Sequence, residues 1–380
     1  MSPGLPQDHE HVNEVVAKAN RYGLCPEVHA EHGAKYTAVE VYLKDGKTKA
    51  SSLPEYLFEN LPGVERVVRV SPSTVSAAMN GDRERLVIPI GPSAIGPNHP
   101  CLLVAGPCAI DKHAAATLEM LARHGVQHIR GGWRKPRSRA EAFRGFGADV
   151  LEKFMRIAQS NGMKSIWTEV IESPDVETVR RLRDRTHFTG DVVLWVGARN
   201  SGNYRLLEKL GEQNDFIVML KHGLRMTRID ELMELAGWVL YGPMYWDEDG
   251  RLDVERSAPS GNQKLIFCVR GLDKVDQHDP HRFTPNFSWI DELHDRARPP
   301  VCLDPSHMAG RADLVLRDLA EGLTHNPDVA LVECHAKPEE ALCDKDQAIG
   351  PDQIEQLVAL VDEHNRQRGY GQTEPRAEVA

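Results

Sequence analysis

Eight short apolar runs in this chain each hand over to a residue fit for phosphate or metal chemistry. LLVA (102–105) leads into Gly106-Pro107-Cys108, HI (128–129) into Arg130, and SIWT (165–168) into Glu169. VVLWV (192–196) leads into Gly197-Ala198-Arg199, FIVML (216–220) into Lys221, and LIFCV (265–269) into Arg270. VCL (301–303) leads into Asp304-Pro305-Ser306-His307, and VALV (329–332) into Glu333. Guanidinium groups grip phosphate or carboxylate through paired hydrogen bonds, and lysine adds a point charge. Arg130, Arg134, Lys135, Arg137, Arg199, Lys221 and Arg270 thus describe a pocket for a multiply anionic ligand. Any one strand-end arginine more often pairs with a loop carboxylate. That alternative weakens when four strands deliver cations to one rim. Arg134, beside Trp133, is assigned to the surface.

Cys108, His307, Glu333 and Asp344 form a second set. Thiolate, imidazole and two carboxylates make a mixed site for a first-row divalent metal. Taken singly, Cys108 reads better as a small buried hydrophobe and His307 as a hydrogen-bonded core histidine. Asp346 rivals Asp344, and Cys25, Cys101, Cys268, Cys302, Cys334 and Cys343 are read as ordinary thiols. Lys135 and Lys221 raise a third chemistry, the Schiff base, which needs an amine of lowered pKa in an apolar pocket. Neighbouring cations argue instead for ionic binding or proton donation. Gly131, Gly132 and Gly197 serve either close ligand approach or ordinary tight turns.

These residues need a scaffold that collects strand ends. Repeated strands with helices between them predict a parallel α/β fold, and eight repeats predict a closed (β/α)8 TIM barrel, whose working residues sit at the C-terminal strand ends. The expected barrel spans 101–368, with a flexible tail at 369–380. Residues 1–70 read as helix–strand–strand–helix–strand, a small α+β regulatory domain of ferredoxin-like but incomplete type. Its elements are a helix over 9–21, strands near 26–30 and 37–43, a helix over 52–61 and a strand over 64–70. Residues 71–100 read as a linker with a strand, RLVIPI (85–90), that closes the barrel mouth. In the barrel, Ser173 is the expected N-cap of a helix whose first position is Pro174. Residues 241–263 read as a hairpin or interface loop on the N-terminal side.

With 380 residues and 41% hydrophobic content, the chain can bury one large core and a small one. Its formal charge of −10 argues against nucleic acid or an anionic membrane as main partner. No apolar stretch reaches ~20 residues, so no membrane span is expected. The start, MSPGLPQDHE, lacks signal-peptide features. The 7 cysteines without a CxxC pair favour free thiols in a reducing cytoplasm.

AGPCAI (105–110), RGGWRKPRS (130–138), TEV (168–170), GARN (197–200), LKHG (220–223), DPSH…GR (304–311) and VECH…ALCD (332–344) resemble the type I 3-deoxy-arabino-heptulosonate 7-phosphate (DAHP) synthases. The nearest pattern is the branch with a small N-terminal ferredoxin-like domain. KPRS and GARN separate it from the octulosonate 8-phosphate synthases of the same superfamily. The resemblance implies condensation of phosphoenolpyruvate with a phosphorylated aldose, erythrose 4-phosphate in the parent enzymes. It implies a divalent metal, manganese first, with cobalt, iron(II) or zinc as alternatives. Arg199, Lys221 and Arg270 would hold the phosphate and carboxylate of phosphoenolpyruvate, with Arg130 and the Gly197-Ala198 backbone alongside. Lys135 would contact phosphoenolpyruvate and act as acid at the aldehyde oxygen. Arg137 and Ser138 would take the sugar phosphate. Cys108, His307, Glu333 and Asp344 would bind the metal, and Glu169 and Asp304 would lie near the reacting carbons or activate water. A cytoplasmic homodimer or homotetramer in aromatic amino acid biosynthesis would follow.

The chain departs from the pattern at His222, where relatives carry Arg, and at Val269, where they carry Glu. RGFG (144–147) replaces QGLG, LDKVDQHDPHRFTPNF replaces the strings after Arg270-Gly271, and Ser138 replaces Thr. These changes leave phosphoenolpyruvate handling intact and point to an altered acceptor pocket, hence to another phosphorylated aldehyde in specialised metabolism as the alternative. Residues 1–8 offer no first strand, so the feedback inhibition by an aromatic amino acid that the resemblance implies is left open. A Schiff-base aldolase and a non-catalytic phosphoenolpyruvate sensor rank below both.

Overall fold

The computed structural model describes residues 9–22, 24–30, 37–42, 56–65, 67, 84–137, 139–246, 248, 261–274, 276 and 278–370. The chain divides into two compact units, 1–80 and 81–380.

In the first unit, α1 (Glu10–Arg21) starts at His9, whose Nδ1 accepts from the His11 amide at 3.2 Å. Val12, Val15 and Ala19 form its buried face, the spacing of a one-sided helix. β1 (Cys25–Ala30) and β2 (Thr37–Tyr42) pair antiparallel, and α2 is short, Tyr56–Glu59. The expected strand over 64–70 has no strand at 64, 65 or 67, and its remaining positions lie outside the described residues. So do residues 1–8, the linker stretch 71–83 and the tail 371–380.

The second unit is a closed barrel of parallel strands. In chain order these are β5 (Leu102–Gly106), β6 (His128–Arg130), β7 (Ser165–Val170), β8 (Asp191–Val196), β9 (Ile217–Lys221), β10 (Leu265–Val269), β11 (Val301–Leu303) and β12 (Val329–Glu333). β12 pairs with β5 to complete the ring. Helices α3 (Ala114–Arg123), α4 (Ala148–Ser160), α5 (Ser173–Thr186), α6 (Tyr204–Gly211), α7 (Ile229–Leu240), α8 (Ser288–Arg296), α9 (Pro305–Ala309), α10 (Ala312–Leu323) and α11 (Ile354–Gln367) follow the strands. Each strand is buried on both faces, so the strands read as continuous apolar runs rather than alternating ones.

Two details correct the expectations. Glu172, not Ser173, caps α5, in a box where the Asp175 carboxylate accepts from the Ile171 and Glu172 amides at 2.8 and 3.2 Å. The stretch 85–90 is one arm of a hairpin, β3 (Ile88–Ile90) with β4 (Ser93–Ile95). That hairpin plugs the N-terminal end: Ile88, Ile90 and Ile95 pack on Leu102, Trp167, Val193 and Ile217, and the Gly91 amide donates to Asp191 at 2.6 Å. Most of 241–263 lies outside the described residues, but Asn262 donates to the Phe216 carbonyl at 2.9 Å, on the N-terminal side of the barrel. The barrel's last helix is tied to its first strand: Asn365 accepts from the Cys101 amide at 2.7 Å and donates to its carbonyl at 3.0 Å.

Among the described residues, no helix is long and apolar enough to cross a membrane.

Candidate active site and metal centre

Parallel closure brings all eight C-terminal strand ends to one rim, and a cleft opens there. Arg130, Lys135, Arg137, Arg199, Lys221 and Arg270 line it, against the carboxylates of Glu169 and Asp344. Gly197, Ala198, Trp195 and His307 complete most of the wall. Ser138 lies outside the described residues. Arg134 stands apart on the outside, paired with Glu172 and with Asp175 at 3.3 Å.

Two lysine–carboxylate pairs set the electrostatics. Lys135 Nζ is 3.0 Å from Glu169 Oε2, and Lys221 Nζ is 2.6 Å from Asp304 Oδ2. Burial works against the charge on Lys135, but Cys108 and Glu169 outweigh it and hold the ammonium well above its ordinary value. Arg130 is fully buried, faces Glu333 at 3.0 Å and lies over the Trp195 ring at 5.0 Å. Among the described residues its Nε and Nη1 have no hydrogen-bond partner, nor does Nη1 of Arg270. Buried donors left unpaired cost free energy unless something else satisfies them. Burial draws the Arg270 guanidinium down to about 10, which still leaves it charged at neutral pH.

Gly197 is required by its neighbour: a Cβ there would stand 2.1 Å from Glu169 Oε1. Gly132 is likewise pressed on the Cys108 carbonyl at 2.8 Å and Lys135 Cδ at 2.9 Å, whereas Gly131 faces the apolar side chains of Ile110 and Phe154. The glycines thus make room for cleft and core side chains of the protein itself.

At one side of the cleft the metal-type donors converge. His307, Glu333 and Asp344 offer ligand atoms within 4.8 Å of one another, and so do Cys108, Cys343 and Asp344. Cys108 Sγ donates to Asp344 Oδ2 at 3.0 Å. Asp346 is exposed and outside the group. Burial opposes ionisation of Asp344, but His307 and Arg282 hold its carboxyl far below the usual range. Glu333 Oε1 is buried without a well-directed hydrogen bond, facing Arg130 Nη2 at 3.0 Å and His307 Nε2 at 3.8 Å. A thiol, an imidazole and two carboxylates in this arrangement fit a first-row divalent cation.

Asp304 caps α9, accepting from the His307 amide at 3.2 Å, and its carboxylate meets His307 Nδ1 at 2.9 Å. That contact turns Nε2 toward Glu333, the orienting arrangement common around metal-bound histidines. Burial alone would raise the Asp304 carboxyl, yet His307 and Lys221 keep it well below its ordinary value. Asp304 therefore stands behind Lys221 and His307, and it is not among the residues that line the cleft.

Sequence reasoning missed several participants. Cys343, read as an ordinary thiol, joins the donor group, and its adjacency to Asp344 was the available signal. Arg282, from the loop after β10, donates to Asp344 at 2.9 Å and to Gln347 at 3.0 Å, and Gln347 donates to Glu333 at 2.6 Å. His335 and Asp111, 2.9 Å apart and buried, tie the loop after β12 to the loop after β5. No local pattern signalled these. His222, expected to reshape the acceptor pocket, is fully buried off the cleft: Nε2 accepts from the Arg270 amide at 3.1 Å, and burial, with Arg270 nearby, lowers it to about 3. It is a neutral brace for the Arg270 backbone.

A model of the DAHP synthetase I family matches residues 75–368. The phospho-2-dehydro-3-deoxyheptonate aldolase of Thermotoga maritima is 30% identical over 360 residues, covering 94% of each chain. The crystal structure of that organism's phospho-2-dehydro-3-deoxyheptonate aldolase (DAHP synthase) superimposes with a TM-score of 0.70 at 28% identity, over 97% of this chain and 96% of the other. A truncated form of the Thermotoga maritima 3-deoxy-D-arabino-heptulosonate 7-phosphate synthase gives a TM-score of 0.60 at 28% identity, over 75% of this chain and 94% of the other.

Proposed function

This chain belongs to the DAHP synthetase I family, and from that premise we propose that it condenses phosphoenolpyruvate with erythrose 4-phosphate in a metal-dependent reaction, giving DAHP and inorganic phosphate. The observation that carries the reading is the excess of cations over carboxylates in a cleft that borders a thiol–imidazole–carboxylate cluster. A phosphate monoester carries about −1.5 to −2 at neutral pH, and phosphoenolpyruvate adds a carboxylate. The unpaired guanidinium atoms of Arg130 and Arg270 suit those oxygens.

In this mechanism Arg199, Lys221, Arg270 and Arg130 bind phosphoenolpyruvate, while Arg137 and Ser138 take the acceptor phosphate. The vinyl carbon attacks the aldehyde carbon, forming the new C–C bond. Lys135, kept protonated, gives its proton to the aldehyde oxygen. Water adds to the resulting cationic carbon, with Glu169 placed beside Lys135 to take a proton from it. Collapse of the hemiketal then releases phosphate. Charges held in place by the surrounding fold stabilise this redistribution without reorganising. Cys108, His307, Glu333 and Asp344 would hold a divalent metal, which when bound would polarise the aldehyde carbonyl. Asp304 sets the His307 ring. The reaction opens the shikimate route to aromatic amino acids, and we place the enzyme in the cytoplasm as a homodimer or homotetramer.

A second reading keeps this chemistry with another phosphorylated aldehyde. It is favoured by Arg282, which brings the replaced loop after β10 onto Asp344 at the cleft. The test is loss of the ultraviolet absorbance of phosphoenolpyruvate with erythrose 4-phosphate, with and without chelator. Chelator-sensitive loss with phosphate release supports the first reading. Binding without turnover, followed by turnover in a panel of phosphorylated aldehydes, supports the second. Turnover indifferent to chelator would overturn the metal assignment.

A further inference from the structure

Two cysteines meet at the donor cluster. Cys108 follows β5, and Cys343 immediately precedes Asp344 in the loop after β12. Their sulfurs and an Asp344 carboxylate oxygen lie within 4.8 Å of one another. Both thiols are buried, at 5% and 9% exposure, so neither is an incidental surface group. Asp344 adopts a left-handed backbone, φ 53° and ψ 33°. A non-glycine residue there is strained, and such strain persists where surrounding structure enforces it, often at functional sites. An extended chain would send consecutive side chains to opposite faces. The bend at Asp344 instead brings its carboxylate and the preceding thiol to the same side, beside Cys108. The span of this group suits bonds of about 2.3 Å to sulfur and 2.0–2.2 Å to oxygen around a single ion.

We propose that Cys343 supplies a second thiolate to the metal centre, so that the site selects a borderline-soft divalent ion over manganese. The inference rests on the metal-dependent reading above and deepens it. Thiolates favour zinc, iron(II) or cobalt, whereas manganese prefers carboxylate and water. Each thiol loses its proton to solvent as the metal–sulfur bond forms, and no electron is transferred. The second thiolate turns a set of one sulfur, one imidazole and two carboxylates into one with two sulfurs. Within this cleft it also adds negative charge opposite Lys135 and Arg282, both of which face the cluster.

The test uses the full chain, stripped of metal under a phosphine reductant and titrated with cobalt(II). Thiolate-to-cobalt charge transfer gives a near-ultraviolet band whose intensity reports the number of coordinated sulfurs. The wild type should show the contribution of two thiolates, Cys343→Ser and Cys108→Ser one each, and the double variant none. The zinc-to-manganese affinity ratio should fall in Cys343→Ser by more than the roughly tenfold loss typical of an outer-shell partner. Cys343→Ala serves if the serine variant folds poorly, with circular dichroism as the check. A band and affinity ratio unchanged in both Cys343 variants, with the band lost in Cys108→Ser, overturn the proposal while leaving the metal centre in place. No cobalt binding to the wild type at all would overturn both.

Discussion

At the N-terminal end of the barrel, the buried Asp328 carboxylate accepts from Arg85 at 2.5 Å and from the Val301 amide at 2.8 Å, and meets His294 at 3.1 Å. One anion there is surrounded by partners from three segments. At the C-terminal end the balance reverses. Six basic side chains crowd the cleft against two carboxylates, and Arg130 and Arg270 keep buried nitrogens without hydrogen bonds. The same fold thus buries charge for two purposes. Where a single carboxylate is ringed by partners, as Asp328 is, it holds strands and loops in register, even though Arg85 Nε makes no hydrogen bond among the described residues. Where many cations converge and some nitrogens are short of partners, a ligand that supplied oxygens would relieve that cost. In a (β/α)8 barrel this division is expected, because chemistry gathers at the C-terminal ends of the strands.

The sharpest way to break that contrast is to remove metal-type donors at the rim. Cys108→Ala and His307→Ala should each lower turnover by about 10³-fold or more, as loss of a principal electrostatic stabiliser does. Cys108→Ala should melt near wild type, whereas His307→Ala, which takes a partner from buried Asp304, should keep the fold but melt lower. A Cys108→Ala protein with full, metal-free activity would end the assignment. Lys221→Met should blur the contrast, because it strips a ligand cation and also leaves Asp304 buried without that partner. Activity should vanish, and denaturant unfolding should report a loss of about 3–5 kcal/mol.

Arg85→Met should act only at the other end. Removing a charged hydrogen-bond partner of Asp328 should cost about 1.5–3 kcal/mol in denaturant unfolding. Its kcat/KM per folded molecule should match wild type, and a large fall would mean that the two ends are coupled. The smallest effect concerns pH. His128, buried at the N-terminal end, and His222, at the C-terminal end, are lowered from 6.5 to about 4 and about 3, chiefly by burial. Each stays neutral in the native state while the unfolded chain takes up a proton. Their contribution to stability is therefore complete above 6.5 and declines as pH falls toward the depressed folded values. His128→Gln should flatten the pH slope of the unfolding free energy between about 4 and 6.5, and an unchanged slope would contradict the burial argument.

Apolar runs with chemistry-bearing ends were enough to read the barrel, its strand order and the basic rim. Parallel strands of one handedness must gather their C-terminal ends on one side, whatever the loops between them do. Arg130, Glu169, Arg199, Lys221 and Arg270 meet for that reason, and their positions along the chain already imply it. The sequence also carried the donor types of Cys108, His307, Glu333 and Asp344. Tertiary structure alone decided the rest. Cys343 joins the donors through a left-handed turn at Asp344, Arg282 reaches the cluster from a loop, and Asp304 turns inward to set His307. His222 looked like a pocket residue but became a buried brace, because its neighbours in space, not in sequence, enclose it. An apolar run with a polar residue at its end is a local property and survives in the sequence. Loop conformation depends on contacts between residues far apart in the chain, and only the folded protein brings those together.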